Sequence, residues 1–382
     1  MRLENDNKMI IGIDGNEANI ERRVGVNQYG FELLWNLRKL ESEWSKKHNL
    51  IVYLKEKPRK DMPGETKNFK YKVISGGRLW ILTRLMPNLF FCKPRPDVFF
   101  SPSHYTVPFA PMPRVCSIMD LGYLESSGQF TKNVFWQLKW WSAISIIVSK
   151  RIITISSSTK SDIVRHYPST KNKIYVTQLA YDKNKFNTSI LPKDVRRVKN
   201  RYSIVTDYIL FLSTLKPSKN VEGLIDAFSE VVREYPKIKL VIAGKKGWLF
   251  ETIFKKVENM GLKDKIVFTD YFPETDRPAL LAGAKLYILP SFWEGFGMEV
   301  LNAMACGVPV VVSNAGSLPE VVGDAGILVD PYDADSIAEG IKEVLSAGNS
   351  KYNNLVEKGF KQAARFSWEK TARETLKIVT SV

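Results

Sequence analysis

The densest chemistry in this chain surrounds Glu294, in Pro290-Ser-Phe-Trp-Glu-Gly-Phe-Gly297. The apolar run Lys285 to Leu289 ahead of it reads as a strand, and Met298 to Cys306 after it as a helix. A carboxylate can accept several hydroxyl hydrogen bonds, and glycines let bare backbone approach a ligand closely. Amides at a helix N-terminus attract anions, and open α/β sheets bind nucleotides beyond the carboxyl ends of their strands. Lys219 repeats the theme: it precedes a predicted helix, Val221 to Glu234, after the predicted strand Tyr208 to Leu212. The helix dipole disfavours a cation there. A bound anion resolves the conflict; a solvated surface lysine is the plain alternative.

The Glu294 segment continues through Met298-Glu-Val-Leu-Asn-Ala-Met-Ala-Cys-Gly-Val-Pro-Val310 to Ser317-Leu-Pro-Glu-Val-Val-Gly-Asp-Ala-Gly326. Together these resemble the retaining, nucleotide-sugar-dependent glycosyltransferases of the GT-B fold, the sucrose-synthase/mannosyltransferase-like family (glycosyl transferases group 1). The resemblance covers most of the chain, is strongest from about Tyr208 to Val329, and is weaker before Ser101. It implies that Glu294 faces a donor sugar, and that the backbone of Gly295, Phe296, Gly297 and Met298 meets sugar hydroxyls and diphosphate. Lys219 then pairs with the diphosphate, in a loop that also carries Ser213 and Thr214 as donor-binding residues. Gly244 lies beside the nucleotide with Lys245 flanking it. Tyr271 either lines the base pocket or packs in a core.

Two positions depart from the family pattern. Asn302 stands where a glutamate receives the ribose hydroxyls, and an amide both accepts and donates. Glu299, one helical turn earlier, either compensates or faces solvent. Met119 stands where a histidine contacts the donor sugar, while Asp120 beside it is kept. His104, in Ser101-Pro-Ser-His-Tyr105, is proposed to take the missing histidine's place, a loop histidine capping a turn being the alternative. Gly25 belongs to a loop that touches donor phosphate or acceptor in the family; turn chemistry alone also accounts for it.

Predicted strands at Met9–Ile13, Leu50–Leu54, Asp97–Phe100, Val115–Ile118, Arg151–Ile155 and Ile174–Thr177 alternate with helices at Asn27–Leu40, Asn133–Ser149 and Ser158–Tyr167. The pattern restarts with strands at Tyr208–Leu212, Lys239–Ile242, Ile266–Thr269, Lys285–Leu289, Val308–Val312 and Gly326–Val329. Helices are expected between them at Val221–Glu234, Trp248–Met260, Arg277–Gly283 and Met298–Cys306. Strands separated by helix-length connections imply parallel sheets. The fold class is therefore α/β, with two facing Rossmann-like domains. The resemblance implies that residues 1–186 are an N-terminal acceptor domain, 187–204 a linker and 205–363 a nucleotide-sugar domain. Phe-Ser-Trp-Glu-Lys-Thr-Ala at 366–372 resembles the family's closing helix, which implies that 364–382 crosses back to the first domain; Ser367 is its expected N-cap.

The chain has 382 residues and a formal net charge of +16. Residues 1–190 hold 30 Lys+Arg against 16 Asp+Glu, whereas residues 191–382 hold 26 against 24. So one-sided a charge suits an anionic partner for the first half. Basic and bulky apolar residues mix in Arg78 to Lys93, and Trp136, Trp140 and Trp141 lie near Lys132 and Lys139. Both segments read either as core helices or as surfaces resting on an anionic membrane. No pattern of a nucleic-acid module is present. Three unpaired cysteines argue against a disulfide framework and for a reducing cytoplasm. The polar start, Met1 to Lys8, is not that of a signal peptide, and no apolar run reaches the ~20 residues of a membrane span.

The resemblance thus implies a metal-independent, retaining hexosyltransferase. It would move mannose or a related hexose from a GDP-sugar or UDP-sugar to a glycan or lipid-linked acceptor, with no further cofactor. Its expected location is cytoplasmic, peripheral to the membrane. The rival reading, from Met119 and Asn302, is a non-catalytic nucleotide-sugar-binding subunit of a polysaccharide pathway.

Overall fold

The computed structural model describes residues 8–125 and 132–382. The expectation for the polar start concerns residues 1–7 and so lies outside the described residues. Two compact units emerge: Met1–Leu179 with Ser367–Val382, and Ala180–Phe366.

The first unit holds seven parallel strands: β1 (Met9–Asp14), β2 (His48–Leu54), β3 (Phe69–Val73), β4 (Val98–Ser101), β5 (Arg114–Ile118), β6 (Arg151–Thr154) and β7 (Ile174–Val176). Their order is β3-β2-β1-β4-β5-β6-β7. Parallel strands covered on both faces read as continuous apolar runs, and β4 is buried along its whole length. The edge strand β3, Phe-Lys-Tyr-Lys-Val, was not anticipated; only Phe69 is buried, and lysines mark a sheet edge. In the segment Arg78 to Lys93, Trp80, Leu85 and Leu89 pack with Tyr53, Phe99 and Val107 in an apolar core, while Phe91 remains exposed.

The closing helix, Trp368–Val379, packs on the first unit. Ser367 caps it, its Oγ accepting from the Lys370 amide at 3.1 Å. The Thr371 hydroxyl donates to the Gln178 carbonyl at 2.6 Å, and Arg373 meets the Glu43 carboxylate twice at 2.8 Å.

The second unit holds six parallel strands: β8 (Tyr208–Leu212), β9 (Lys239–Ala243), β10 (Ile266–Asp270), β11 (Leu286–Leu289), β12 (Val310–Ser313) and β13 (Gly326–Val329), in the order β10-β9-β8-β11-β12-β13. Two boundaries differ from expectation for local reasons. Strand β12 begins at Val310 rather than Val308, because Pro309 has no amide to pair and its carbonyl accepts from Tyr287. The helix expected from Trp248 begins at Glu251, because Leu249 has a positive φ of 57°. Helices Ala334–Leu345 and Asn349–Ala364, not anticipated, follow β13. In the stretch read as linker, the helix Pro192–Arg201 is fastened to the buried Asp276 carboxylate by Arg197 at 2.8 Å, Arg201 at 2.6 Å and the Tyr202 hydroxyl at 3.0 Å.

In each sheet the chain works outward in one direction, then returns to the middle and works outward in the other. The reversal falls between β1 and β4 in one unit and between β8 and β11 in the other. Such a switch point opens a crevice at the carboxyl ends of the two central strands.

Candidate functional site

Lys219 and Glu294 are delivered to one switch point by different loops. After β8 the chain passes Ser213 and Thr214, makes a short turn over Pro217–Lys219 and enters the helix Val221–Glu234 through Asn220. Asn220 adopts the left-handed conformation (φ 52°, ψ 43°), and its Oδ1 accepts from the Gly223 amide at 3.2 Å. After β11 the loop Pro290–Gly297 ends at Gly297, whose φ of 93° starts the helix Met298–Ala305. The Phe292 amide donates to the Ser218 carbonyl at 3.0 Å and ties the two loops together.

The Lys219 ammonium donates to Glu294 Oε1, which also accepts from the Ser291 hydroxyl at 2.7 Å. Both side chains are shielded, 13% and 12% exposed. The expectation gave each a separate ligand group to face; in this structure they hold each other. The Glu294 carbonyl accepts from the Ser317 amide at 3.1 Å and the Ser317 hydroxyl at 3.0 Å. Gly316, at φ 60°, lies so close that a Cβ there would sit 2.6 Å from that carbonyl oxygen. Beneath the loop, the buried Tyr287 hydroxyl donates to the Leu212 carbonyl at 3.2 Å. Burial and the nearby charges of Glu299 and Glu294 raise its pKa well above the usual phenol value.

Gly244 packs against the first loop. With φ at 140°, a Cβ would fall 1.9 Å from the Ser213 carbonyl oxygen, so only glycine fits. The Leu215 amide donates to the Lys245 carbonyl at 3.0 Å, while the Lys245 side chain is exposed. Tyr271 is exposed and not packed in a core. Gly295, Phe296 and Met298 lie on the Glu294 loop and helix start, with Phe296 buried against Phe366.

Asn302 is 5% exposed, and its Nδ2 donates to Glu299 Oε2 at 3.0 Å. Glu299 neither stands free in solvent nor replaces Asn302 alone: Arg277 donates to its other oxygen at 2.6 Å.

In the first unit, His104 follows β4 and Asp120 follows β5. His104 lies against the Tyr105 ring at 4.0 Å between centroids, its Nε2 buried without a hydrogen-bond partner. Burial pushes its pKa down to about 4, so the ring is neutral at physiological pH. The Asp120 carboxylate is exposed and accepts from the Gly122 amide at 2.9 Å. Gly25, at φ 53°, starts the helix Val26–Lys39.

Sequence reasoning missed two acids at the carboxyl end of β1. Burial pushes Asp14 up to about 6, against hydrogen bonds from the Asn16 amide and side chain. Burial likewise raises Glu17, which accepts from Asn27 Nδ2. Asp14 is the lone carboxylate ending an apolar strand, a signal open to reading. Ser291, Gly316 and Ser317 were also missed as holders of Glu294; nothing in their spacing announces that role. Among the described residues no group of three or more His, Cys, Asp or Glu side chains has metal-ligand proximity.

Residues 197–362 match the family model of the glycosyl transferases group 1. The chain is 36% identical over 237 residues to O-antigen chain mannosyltransferase B of Escherichia coli, covering 61% of each protein. The match therefore spans less than two thirds of that relative's length. In three dimensions it is similar to sucrose-phosphate synthase of Thermosynechococcus elongatus, with a TM-score of 0.76 and 17% identity over 98% of this chain and 99% of that one. It is also similar to Anabaena Alr3699/HepE in complex with UDP and glucose, with a TM-score of 0.74 and 17% identity over 98% of this chain and all of the other.

Proposed function

We propose that the chain is a group 1 glycosyltransferase of the GT-B fold that transfers a hexose, mannose by preference, from a nucleoside-diphosphate sugar to an acceptor hydroxyl. The acceptor is a glycan or a lipid-linked glycan of a polysaccharide pathway, in keeping with the O-antigen mannosyltransferase relative. The observation that carries this reading is the meeting of Lys219 and Glu294 at the β8–β11 switch point. A cation and a carboxylate, shielded and adjacent, match the two ends of a sugar diphosphate.

On donor binding, Lys219 turns to the diphosphate and Glu294 accepts sugar hydroxyls. The bond between the anomeric carbon and the phosphate oxygen breaks, its electron pair leaving with the diphosphate. Lys219 and backbone amides stabilise that developing charge. The acceptor oxygen bonds to the anomeric carbon on the same face, and its proton passes to the departing phosphate oxygen. Configuration is retained, and no bound metal takes part.

The donor is a GDP-sugar or a UDP-sugar. Among the described residues no helix is long and apolar enough to cross a membrane. The basic first half, with Trp136 stacked on Trp140 and Lys139 over the Trp136 ring, supports a peripheral place on an anionic, cytoplasmic membrane face.

The buried Asn302, turned to Glu299, supports a second reading: a subunit that binds nucleotide sugar without turning it over. A thermal-shift screen of GDP- and UDP-hexoses tests the binding step. Nuclear magnetic resonance of the anomeric proton then tests transfer and its stereochemistry. A rise in melting temperature with one donor, followed by an α-linked product from an α-donor, is expected. Binding without any product would favour the second reading, and no binding would sink both.

A further inference from the structure

A second cavity of chemical interest lies in the first unit, at the opposite ends of the strands from those where Gly25, His104 and Asp120 sit. Its volume is about 520 Å³, within the range of small-molecule sites. Lys8 precedes β1, Lys67 precedes β3, Lys70 and Lys72 lie on β3, and Lys93 precedes β4; all five line it. Among the described residues no carboxylate does. Its apolar floor comes from Ile10, Leu50 and Ile51.

The acids nearest these elements hold neutral groups of the cavity wall, on Asn68, Tyr71 and Ile10, rather than its lysines. Glu41 accepts from Thr66 and Asn68 and pairs with Arg38; Glu65 accepts from the Tyr71 amide, and Asp97 from the Ile10 amide. Among the described residues, Lys8 donates to a neutral group, the Asn68 side-chain oxygen at 3.2 Å. Among the described residues no salt bridge reaches any of the five lysines. Five like charges round one concavity repel one another, and an anion placed among them relieves that repulsion. Compact ammonium groups on flexible stems suit a phosphate as point-charge donors.

We propose that this cavity binds a phosphate-bearing anion, separately from the donor site. The phosphate comes either from a soluble phosphorylated compound or from a lipid headgroup. The site is independent of the transfer reaction: it uses none of the residues assigned to the donor.

The test uses the full chain and two probes. Inorganic pyrophosphate is titrated by calorimetry at 0.15 M salt with the donor site saturated by the nucleotide sugar found in the thermal-shift screen, or by nothing if none binds. Vesicles of phosphatidylcholine, with and without phosphatidylglycerol, are used in flotation. Lys67, Lys70 and Lys93, all exposed, are changed together to Glu; a control changes the exposed Lys183, Lys255 and Lys377 to Glu for the same net charge. One pyrophosphate per chain is expected, with affinity falling on the order of tenfold or more in the Lys67/Lys70/Lys93 variant and no more than about threefold in the control. Loss of pyrophosphate binding alone supports the site with a soluble ligand. Loss of phosphatidylglycerol binding alone, or of both, supports it with a headgroup ligand. Equal losses in the two variants, or no binding of either probe by the wild type, overturn it. Circular dichroism melts confirm that each variant is folded, and the single Lys70→Ala replaces a triple that is not.

Discussion

Lys219 and Glu294 lie 75 residues apart in sequence, yet the ammonium of one is hydrogen-bonded to the carboxylate of the other. Their loops leave adjacent central strands, and the Phe292–Ser218 backbone bond holds those loops in register. The pair is a local neutralisation, and under the proposed function a sugar diphosphate displaces it, its own anionic and hydroxylated ends replacing each partner. Everything proposed for the transfer reaction rests on that exchange.

Gly316 fixes Glu294 from behind. Gly316→Ala puts a Cβ 2.6 Å from the Glu294 carbonyl oxygen and 2.8 Å from its amide nitrogen, on a backbone with φ of 60°. Strain of this kind costs about 1–3 kcal/mol. The variant is expected to stay folded, melt a few degrees lower and lose roughly tenfold or more in kcat/KM, as small displacements of a reacting group do. Steady-state rates with the wild-type donor check it; an unchanged kcat/KM would remove the Gly316–Glu294 packing from the account.

Asp14 makes the first unit less stable above neutrality. Folded, it holds its proton up to about 6; unfolded, it releases it near 3.8. The folded pKa being the higher, stability falls as pH rises from about 4 to about 6 and stays lower beyond. The whole effect is at most about 3 kcal/mol. Asp14→Asn keeps an acceptor for Asn16 and is expected to melt higher than wild type at pH 8 and equally at pH 3.5. Parallel thermal melts at the two pH values decide it. A variant that melts lower at pH 8 contradicts the assignment.

Asp276 behaves in the opposite sense. Burial pushes its pKa up, but the hydrogen bonds from Arg197, Arg201 and Tyr202 outweigh burial and hold it below the usual carboxylate range. Stability from this group is therefore present above the unfolded value and is lost as pH falls below about 4. Removing one partner of a buried pair costs 3–5 kcal/mol; with both guanidiniums half exposed, about 2 kcal/mol is expected for Asp276→Asn. Urea unfolding at pH 7 measures the loss, and the variant's stability should depend less on pH below 4. Equal midpoints for variant and wild type would show that the helix Pro192–Arg201 is held by other means.

The central strands were legible because parallel strands covered on both sides are written as apolar runs: Tyr-Ile-Leu-Phe-Leu at 208–212 admits little else. The edge strand Phe69–Val73 was not, since two lysines in five residues dilute the signal. Asn349–Ala364 escaped notice because polar residues fill much of a helix whose buried residues are Gly359, Gln362 and Ala363. Leu249 hid its positive φ, as no residue type other than glycine or asparagine advertises one. Glu294 and Lys219 stood out by resemblance and by the company of glycines and a helix start. That they touch was beyond the sequence, because it depends on strand order. The grip of Ser317 and Gly316 on the Glu294 backbone was hidden for the same reason.

The most direct trial of the account is the initial rate of hexose release from the nucleotide sugar, with and without acceptor, for wild type, Lys219→Ala and Glu294→Gln. Each variant should lose on the order of a hundredfold or more in kcat while remaining folded, as removal of a single stabiliser of developing charge does. Lys219→Ala should also bind the free nucleoside diphosphate more weakly. Wild-type rates in both variants would contradict the claim that this pair is the donor-sugar site.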